Sequence, residues 1–297
     1  MTHRPHNPKP GPNTPLPHGG NSDGEISAAD YLFLQTLLKK EIGFDLGHDR
    51  HYLVANRLIP VAAKFQCRDV SHLIDQVRKM QDRRLIDAVA EGMTINETSF
   101  FRGSPQLFEN LARHVIPPLQ HARSAQRRLR IWSGACASGQ EPYSILMTLW
   151  EHCPQLAGWN IEILATDISA TALDQARSGI YSEFEVQRGL QTPLLWKYFT
   201  QTGNQWQVND TLRRGIEFRR HNLLDSFLQL APPMDIIFLR NVLIYFDLSS
   251  KTELFQRLRQ CLAPDGVLVL SETESTLGIT TDFQLHPACH DFYVPAI

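Results

Sequence analysis

The chain has 297 residues, 42% of them hydrophobic, and a formal net charge of −2. That length suits two domains with buried cores, and so even a charge balance excludes wholesale electrostatic binding to nucleic acid or to an anionic membrane surface. Five cysteines (Cys67, Cys136, Cys153, Cys261 and Cys289) form no C-x-x-C pair, a pattern of free thiols in a reducing cytoplasm that excludes a disulfide framework or a zinc site.

Residues 1–24 are rich in Pro, Gly, Asn and His and lack the apolar core of a signal peptide, so a disordered leader is expected. His3, His6 and His18 have no regular ligand spacing, and no metal is expected there. No apolar run reaches the roughly 20 residues of a membrane span, so no direct membrane insertion is expected. Residues 25–92 carry helical periodicity and almost no strand signal. Ser27 can cap a first helix whose apolar positions include Tyr31, Leu34, Leu37 and Leu38, with Gly43 to end it. Further helices are predicted over about 49–65, 70–80 and 82–91, joined by short loops into a compact all-α domain.

Residues 93–103 read as a linker or lid, and from residue 104 the pattern changes. A helix over 107–119 is predicted to stop near the Pro117-Pro118 pair. Strands then alternate with helices: strand 128–133, helix 141–151, strand 161–166 and helix 169–178, followed later by strand 234–239, helix 249–262 and strand 266–271. Short apolar strands alternating with helices predict a parallel sheet covered on both faces, an α/β fold. Between about 180 and 220 the rhythm breaks. Residues 196–199, 205–208 and 216–219 read as short strands around Gly203-Asn204, a small antiparallel β insert.

Ile131-Trp132-Ser133-Gly134 is an apolar strand running into a glycine turn. In an open parallel sheet the ligand crevice lies beyond the carboxyl ends of the strands, where their order reverses. Gly134 and Gly139 present no Cβ and let backbone approach a ligand closely. The turn is neither G-x-G-x-x-G nor a lysine-bearing P-loop, so no diphosphate is indicated. Asp167 ends the next strand, where a carboxylate can accept both hydroxyls of a ribose or can cap the helix that starts at Ser169. Glu141 opens the helix after the glycine turn, where its charge suits the helix dipole.

Three segments carry a family resemblance: Asn96-Glu97-Thr98-Ser99-Phe100-Phe101-Arg102, the glycine turn Gly134-Ala135-Cys136-Ala137-Ser138-Gly139-Gln140-Glu141-Pro142-Tyr143, and Arg240-Asn241-Val242-Leu243-Ile244-Tyr245-Phe246. Together they resemble the CheR-type chemoreceptor methyltransferases, over roughly residues 25–297. The resemblance implies a class I S-adenosylmethionine-dependent methyltransferase domain, Rossmann-like, over 104–297, with the all-α domain preceding it. It implies transfer of a methyl group from S-adenosylmethionine to glutamates on the cytoplasmic domains of methyl-accepting chemoreceptors, with S-adenosylhomocysteine as product. Cofactor contacts are implied for Asn96, Thr98, Arg102, Gly134, Glu141 and Asp167, for Asn222 and Leu223 against the adenine, and for Arg240 and Asn241 near the reacting end.

A glutamate carboxylate is already ionised at neutral pH, so its attack on a sulfonium methyl needs no general base. Catalysis then reduces to positioning and desolvation. Arg102 and Tyr245 fit the catalytic roles. The planar fork of Arg102 suits a carboxylate, whether the substrate's or the cofactor's own, and the sequence does not separate these uses. Phe100 and Phe101 are expected as apolar cover over the site, while His221 and Cys136 read as packing. On the second predicted helix Arg50, Arg57 and Lys64 recur every seven residues as one basic stripe, and the resemblance makes it the receptor-docking face. The short turn of the insert favours a version that needs no receptor tether peptide. A monomer is expected, since nothing in the chain demands a dimer. The alternatives are a methyltransferase of another substrate and a cofactor-sensing protein without the chemistry. No Asn/Asp-Pro-Pro-Tyr/Phe motif of base methylation is present, so nucleic acid is not an expected partner.

Overall fold

The computed structural model describes residues 26–103, 105–230 and 233–296; the predicted disordered leader lies outside them. Four helices come first: α1 (Ala28–Ile42), α2 (His51–Lys64), α3 (Val70–Met80) and α4 (Arg83–Met93). Their starts are fixed by side chains that accept otherwise unpaired backbone N–H groups. Ser27 takes the N–H of Asp30, Asp69 that of His72 and Asp82 that of Arg84. Gly43, at φ +69°, closes α1 in the left-handed conformation. Leu34, Leu38, Leu58, Leu73, Val89 and Met93 are buried together in a core of their own.

Next come α5 (Pro105–Asn110), a π turn at Leu111–Val115, and α6 (Ile116–Ala122). The helix predicted to stop at Pro117-Pro118 therefore runs on to Ala122. Ile116 N–H reaches back five residues to the Leu111 carbonyl. This wider turn places the prolines in the first turn of a renewed helix, where neither a missing N–H nor ring crowding is costly.

The main sheet is built from β1 (Arg128–Gly134), β2 (Asn160–Asp167), β6 (Ile216–Arg220), β7 (Met234–Leu239), β8 (Leu262–Val269), β9 (Phe283–Leu285) and β10 (Phe292–Pro295). Its order is β6-β2-β1-β7-β8-β10-β9. The strands from β6 to β8 run parallel, and β10 lies antiparallel between β8 and β9. Helices α7 (Gln140–His152), α8 (Ala170–Ser178) and α12 (Leu248–Cys261) follow β1, β2 and β7. The main sheet, with its crossover helices, is the predicted Rossmann-like α/β fold. Chain order reverses at β1, which pairs with β2 on one side and β7 on the other, so a crevice opens above their carboxyl ends.

The insert differs in detail from expectation. Its sheet is β3 (Ile180–Ser182), β5 (Gln205–Val208) and β4 (Phe199–Thr202), all antiparallel, with helices α9 (Glu183–Gln187), α10 (Thr192–Tyr198) and α11 (Asp210–Arg214) beside it. Trp196 lies on α10 and not on a strand, because Pro193 sits in the first turn of a helix that runs to Tyr198. Residues 216–219, expected in the insert, form the edge of the main sheet, with Ile216 in register with Ile163 of β2.

Gly139 was expected to let a ligand approach, but its missing side chain serves the scaffold. Its φ is +93°, and a Cβ there would lie 2.8 Å from Ala176 Cβ and 3.1 Å from Ala176 Cα. Gly139 thus sets how closely the β1–α7 turn packs on α8. Gly139→Ala is expected to cost at least about 2 kcal/mol through strained φ and overpacking, read as a lower denaturant midpoint.

Candidate functional site

A cleft lies at the carboxyl ends of β1, β2 and β7, the edge at which an open α/β sheet binds its ligands. A strap, residues 94–103, crosses it. Asn96, Thr98 and Arg102 line it from the strap, Glu141 and Asp167 from the helix and strand ends, and Asn222, Leu223, Arg240, Asn241 and Tyr245 from the later loops. Gly134 is not among the lining residues. A Cβ on it would point at Leu239 and the Trp132 ring, at 3.0 and 3.3 Å, so its role is packing behind the cleft. Ala135, Cys136 and Ala137 form that wall instead.

Asp167 is 5% exposed. One carboxylate oxygen accepts the N–H of Ser169 and the other that of Ala137, each at 2.8 Å. Burial pushes its pKa up, against the pull of these backbone donors. Each oxygen keeps lone-pair capacity for a further donor. The cap of α8 falls to Ser169, whose hydroxyl accepts the N–H of Ala172. Ala135 and Ala137 adopt positive φ of 55° and 48°, and the latter accompanies an N–H aimed at Asp167. The Cys136 thiol is pushed well up by burial, with Asp167 and Glu141 adding to it, so it is not a nucleophile at neutral pH. Burial holds His221 below its usual pKa.

On the opposite wall Arg240 and Glu141 form a buried ion pair at 3.0 Å, their side chains 3% and 11% exposed. The other oxygen of Glu141 accepts the Ser133 hydroxyl at 2.8 Å, while Arg240 also donates to the Arg102 carbonyl at 2.8 Å. Arg240 therefore ties the end of the strap to the sheet. Gly103 makes room for this contact: its φ is +111°, and a Cβ would lie 2.4 Å from the Arg240 guanidinium. The Arg102 side chain donates to the Glu97 carbonyl within the strap.

Phe100 and Phe101, expected as cover over the ligand, do not line the cleft. Phe100 is buried edge-on against Tyr181 and Phe199, and Phe101 packs edge-on against Phe108. They anchor the strap to the insert and to α5, because a strap over a wet cleft is held by burying its own aromatics. The apolar cover comes instead from Ile42 and Phe44 of the helical domain, with Val242 and Phe246. Phe44 stacks on Tyr245 with ring centroids 5.6 Å apart, and the Asp45 N–H donates to the Tyr245 carbonyl at 2.7 Å. The Asn222 amide donates to the Glu41 carbonyl at 2.6 Å, so it lines the cleft while tying the two domains together. Sequence reasoning missed Phe44 and Gly103; the available signals were an aromatic directly after a helix-ending glycine and a glycine directly after Phe-Phe-Arg.

The predicted basic stripe is exposed at its two ends and half-buried at its middle. Arg50 is exposed at the start of α2 and Lys64 is exposed at its end. Arg57 between them is half-buried, and its guanidinium donates to the Thr94 carbonyl at the start of the strap. A seven-residue repeat advances 700° around a helix and keeps one face, but at Arg57 that face meets the Thr94 carbonyl at the end of α4.

A family model described as CheR methyltransferase, SAM binding domain, matches residues 96–291, and one described as CheR methyltransferase, all-alpha domain, matches residues 29–94. The chain belongs to the CheR methyltransferase family. A chemotaxis protein methyltransferase of Vibrio parahaemolyticus is 37% identical over 263 residues, covering 88% of this chain and 94% of that protein. Chemotaxis protein methyltransferase 1 of Pseudomonas aeruginosa is 37% identical over 262 residues, covering 86% and 94%. A chemotaxis protein methyltransferase of Listeria monocytogenes is 30% identical over 265 residues, covering 89% and 97%. S-adenosylmethionine is thus the cofactor, and the protein is a methyltransferase of chemotaxis. The CheR cleft suits that cofactor: the Asp167 carboxylate has spare acceptor capacity, and the buried Nε of Arg240 and Nε2 of His221 have no partner among the described residues. No helix among those residues is long and apolar enough to cross a membrane.

Donors on a ligand favour the ionised form of Asp167, so protonation competes with binding. Its pKa in the free protein lies above the ordinary 3.8, so S-adenosylhomocysteine affinity is expected to be flat at pH above that raised value. It should then weaken as pH falls through that raised value, by up to about tenfold per pH unit. Calorimetry across pH checks this, with Asp167→Asn expected to bind weakly and without the pH dependence. Gly103→Ala displaces the strap from Arg240 and is expected to weaken the same affinity at least about tenfold, a loss of about 1.4 kcal/mol.

Proposed function

We propose that the protein esterifies glutamate side chains on the cytoplasmic domains of chemoreceptors, acting as a monomer in the cytoplasm. The observation that carries this reading is the common placement of Arg102 and Tyr245 on one cleft, beside an apolar cover. Relatives named chemotaxis protein methyltransferase match it along most of their length. When bound, S-adenosylmethionine supplies a methyl group on a positively charged sulfur, open to in-line attack.

The residues of the chain then have four tasks. Asp167 accepts the ribose hydroxyls, while Asn222 and Leu223 flank the adenine and Asn96, Thr98, Glu141, Arg240 and Asn241 complete the contacts. Arg102, which lines the cleft, orients a carboxylate, either the substrate's or the cofactor's own. Tyr245 presents its hydroxyl to the transfer centre, held there by the Phe44 stack and the Asp45 N–H. Ile42, Phe44 and Val242 exclude water, which strengthens every polar contact inside. A carboxylate nucleophile makes a general base unnecessary, so neither Cys136 nor His221 acts as one. The receptor meets the helical domain on the outer face of α2, where Arg50 and Lys64 remain exposed and Arg57 takes no part.

The test uses methyl-labelled S-adenosylmethionine and receptor cytoplasmic fragments carrying Glu or Gln at the methylation positions. Label released as volatile methanol after mild base is expected only from the Glu fragments. Tyr245→Phe should lower kcat about 10²-fold, the usual loss for one donor at a reacting centre, with S-adenosylhomocysteine affinity nearly unchanged. Cofactor binding without ester on any receptor fragment would refute the substrate assignment.

A further inference from the structure

The loop that carries Arg240, Asn241 and Tyr245 leaves β7 for a single 3₁₀ turn, in which the Tyr245 N–H donates to the Val242 carbonyl and the Phe246 N–H to that of Leu243. Its backbone N–H groups converge on one side chain from a distant segment. Glu274 lies in the turn after β8 and is 8% exposed. One of its oxygens accepts the N–H groups of Val242 and Leu243, at 2.9 and 2.8 Å. The other accepts those of Asn241 at 2.9 Å and Ser271 at 3.0 Å, and the Ser271 hydroxyl at 2.6 Å. Both oxygens are thus fully occupied by donors, and three of those donors are successive N–H groups of the cleft loop.

That arrangement forces a conformation. Asn241 adopts φ +58°, a left-handed state that Asn tolerates but does not prefer. It turns the Asn241 N–H toward the same carboxylate as the next two, an anion-holding nest of backbone donors. The same turn lets Arg240 point back to Glu141 and Arg102 while Tyr245, one 3₁₀ turn later, comes onto the cleft. No arginine or lysine among the described residues pairs with Glu274; its hydrogen-bond partners are these N–H groups and one hydroxyl. We propose that Glu274 is a positioning residue for methyl transfer: as an anion it fixes the loop conformation that sets Asn241 against the cofactor and Tyr245 against the transfer centre.

Charge and shape are both required. Glu274→Gln keeps the shape, yet it replaces one acceptor by an NH₂ group facing backbone donors, so part of the nest is left unpaired. Glu274→Asp keeps the charge but falls one methylene short. The inference rests on the receptor-glutamate reading only for its kcat arm, because affinity for S-adenosylhomocysteine reads the loop without any substrate.

The experiment measures the full chain well below the melting temperature of each variant. Glu274→Gln is expected to weaken S-adenosylhomocysteine about tenfold and to lower kcat for ester formation about 10²-fold, as expected for a reacting group displaced by about an ångström. In a Tyr245→Phe background the same change should cost kcat less than about fivefold, since the loop then has little left to position. Should Glu274→Gln not fold, Glu274→Asp serves in the same cycle, with intermediate losses. The proposal is overturned if affinity and kcat per folded molecule both stay within twofold of the parent, or if the two kcat losses simply multiply. If the parent binds S-adenosylhomocysteine but forms no ester, the substrate reading fails. The affinity of Glu274→Gln then decides the role of Glu274 by itself: about tenfold weaker supports it, and within twofold refutes it.

Discussion

A strap of chain, residues 94–103, has to lie across the open ends of β1, β2 and β7, and the ligand-facing features depend on how it is pinned. Two arginines do this by grasping backbone carbonyls. Arg57 of the helical domain holds Thr94 at one end, and Arg240 at the end of β7 holds Arg102 at the other. Arg240 can do so because its charge is met by Glu141 in a buried pair. Breaking such a pair typically costs about 3–5 kcal/mol, as the remaining charge is stranded. Between these points Phe101 N–H donates to the Ser144 hydroxyl at 2.9 Å, and Phe100 is sunk among the aromatics of the insert.

The helical domain is consequently part of the cleft and not merely attached to it. It supplies Ile42 and Phe44 to the lining and stacks Phe44 on Tyr245. Glu41 receives the Asn222 amide, and Glu91 accepts the Ser169 hydroxyl and the Thr171 N–H at the start of α8. Lys39 pairs with Asp247 at 2.5 Å, and its hydrogen bond holds that carboxyl down at about 2. A receptor docking on this domain would therefore press on the same elements that cover the reacting centre, joining substrate recognition to water exclusion.

What was readable from sequence follows from period and punctuation. Helices α1, α3 and α4 announce themselves by a capping Ser or Asp before a 3.6-residue apolar repeat, and β1, β2 and β7 by short apolar runs ending in Gly or polar residues. Asp167 and Arg240, polar residues at strand ends, could be placed because an open α/β sheet has one ligand edge, whereas Glu141, in the first turn of α7, was placed by the family resemblance. What depends on contacts between distant segments was not readable. Phe44 becomes part of the cleft only through domain packing, and Phe100 leaves it only because the insert offers an aromatic socket. Arg57 of the basic stripe is half-buried because the Thr94 carbonyl lies within its reach. Gly134 and Gly139 show the same limit: a missing Cβ was visible, but which neighbour needed the space was not. Strands β3, β9 and β10 are too short to carry a period.

The placement of the cofactor in the space under the strap underlies every role assigned to the cleft. It is tested most directly by a crystal structure of the full chain with S-adenosylhomocysteine. The ligand is expected beneath residues 94–103, with its ribose hydroxyls on the Asp167 carboxylate and its sulfur on the Arg102 and Tyr245 side. A ligand bound outside this cleft, or with its ribose away from Asp167, would contradict that placement.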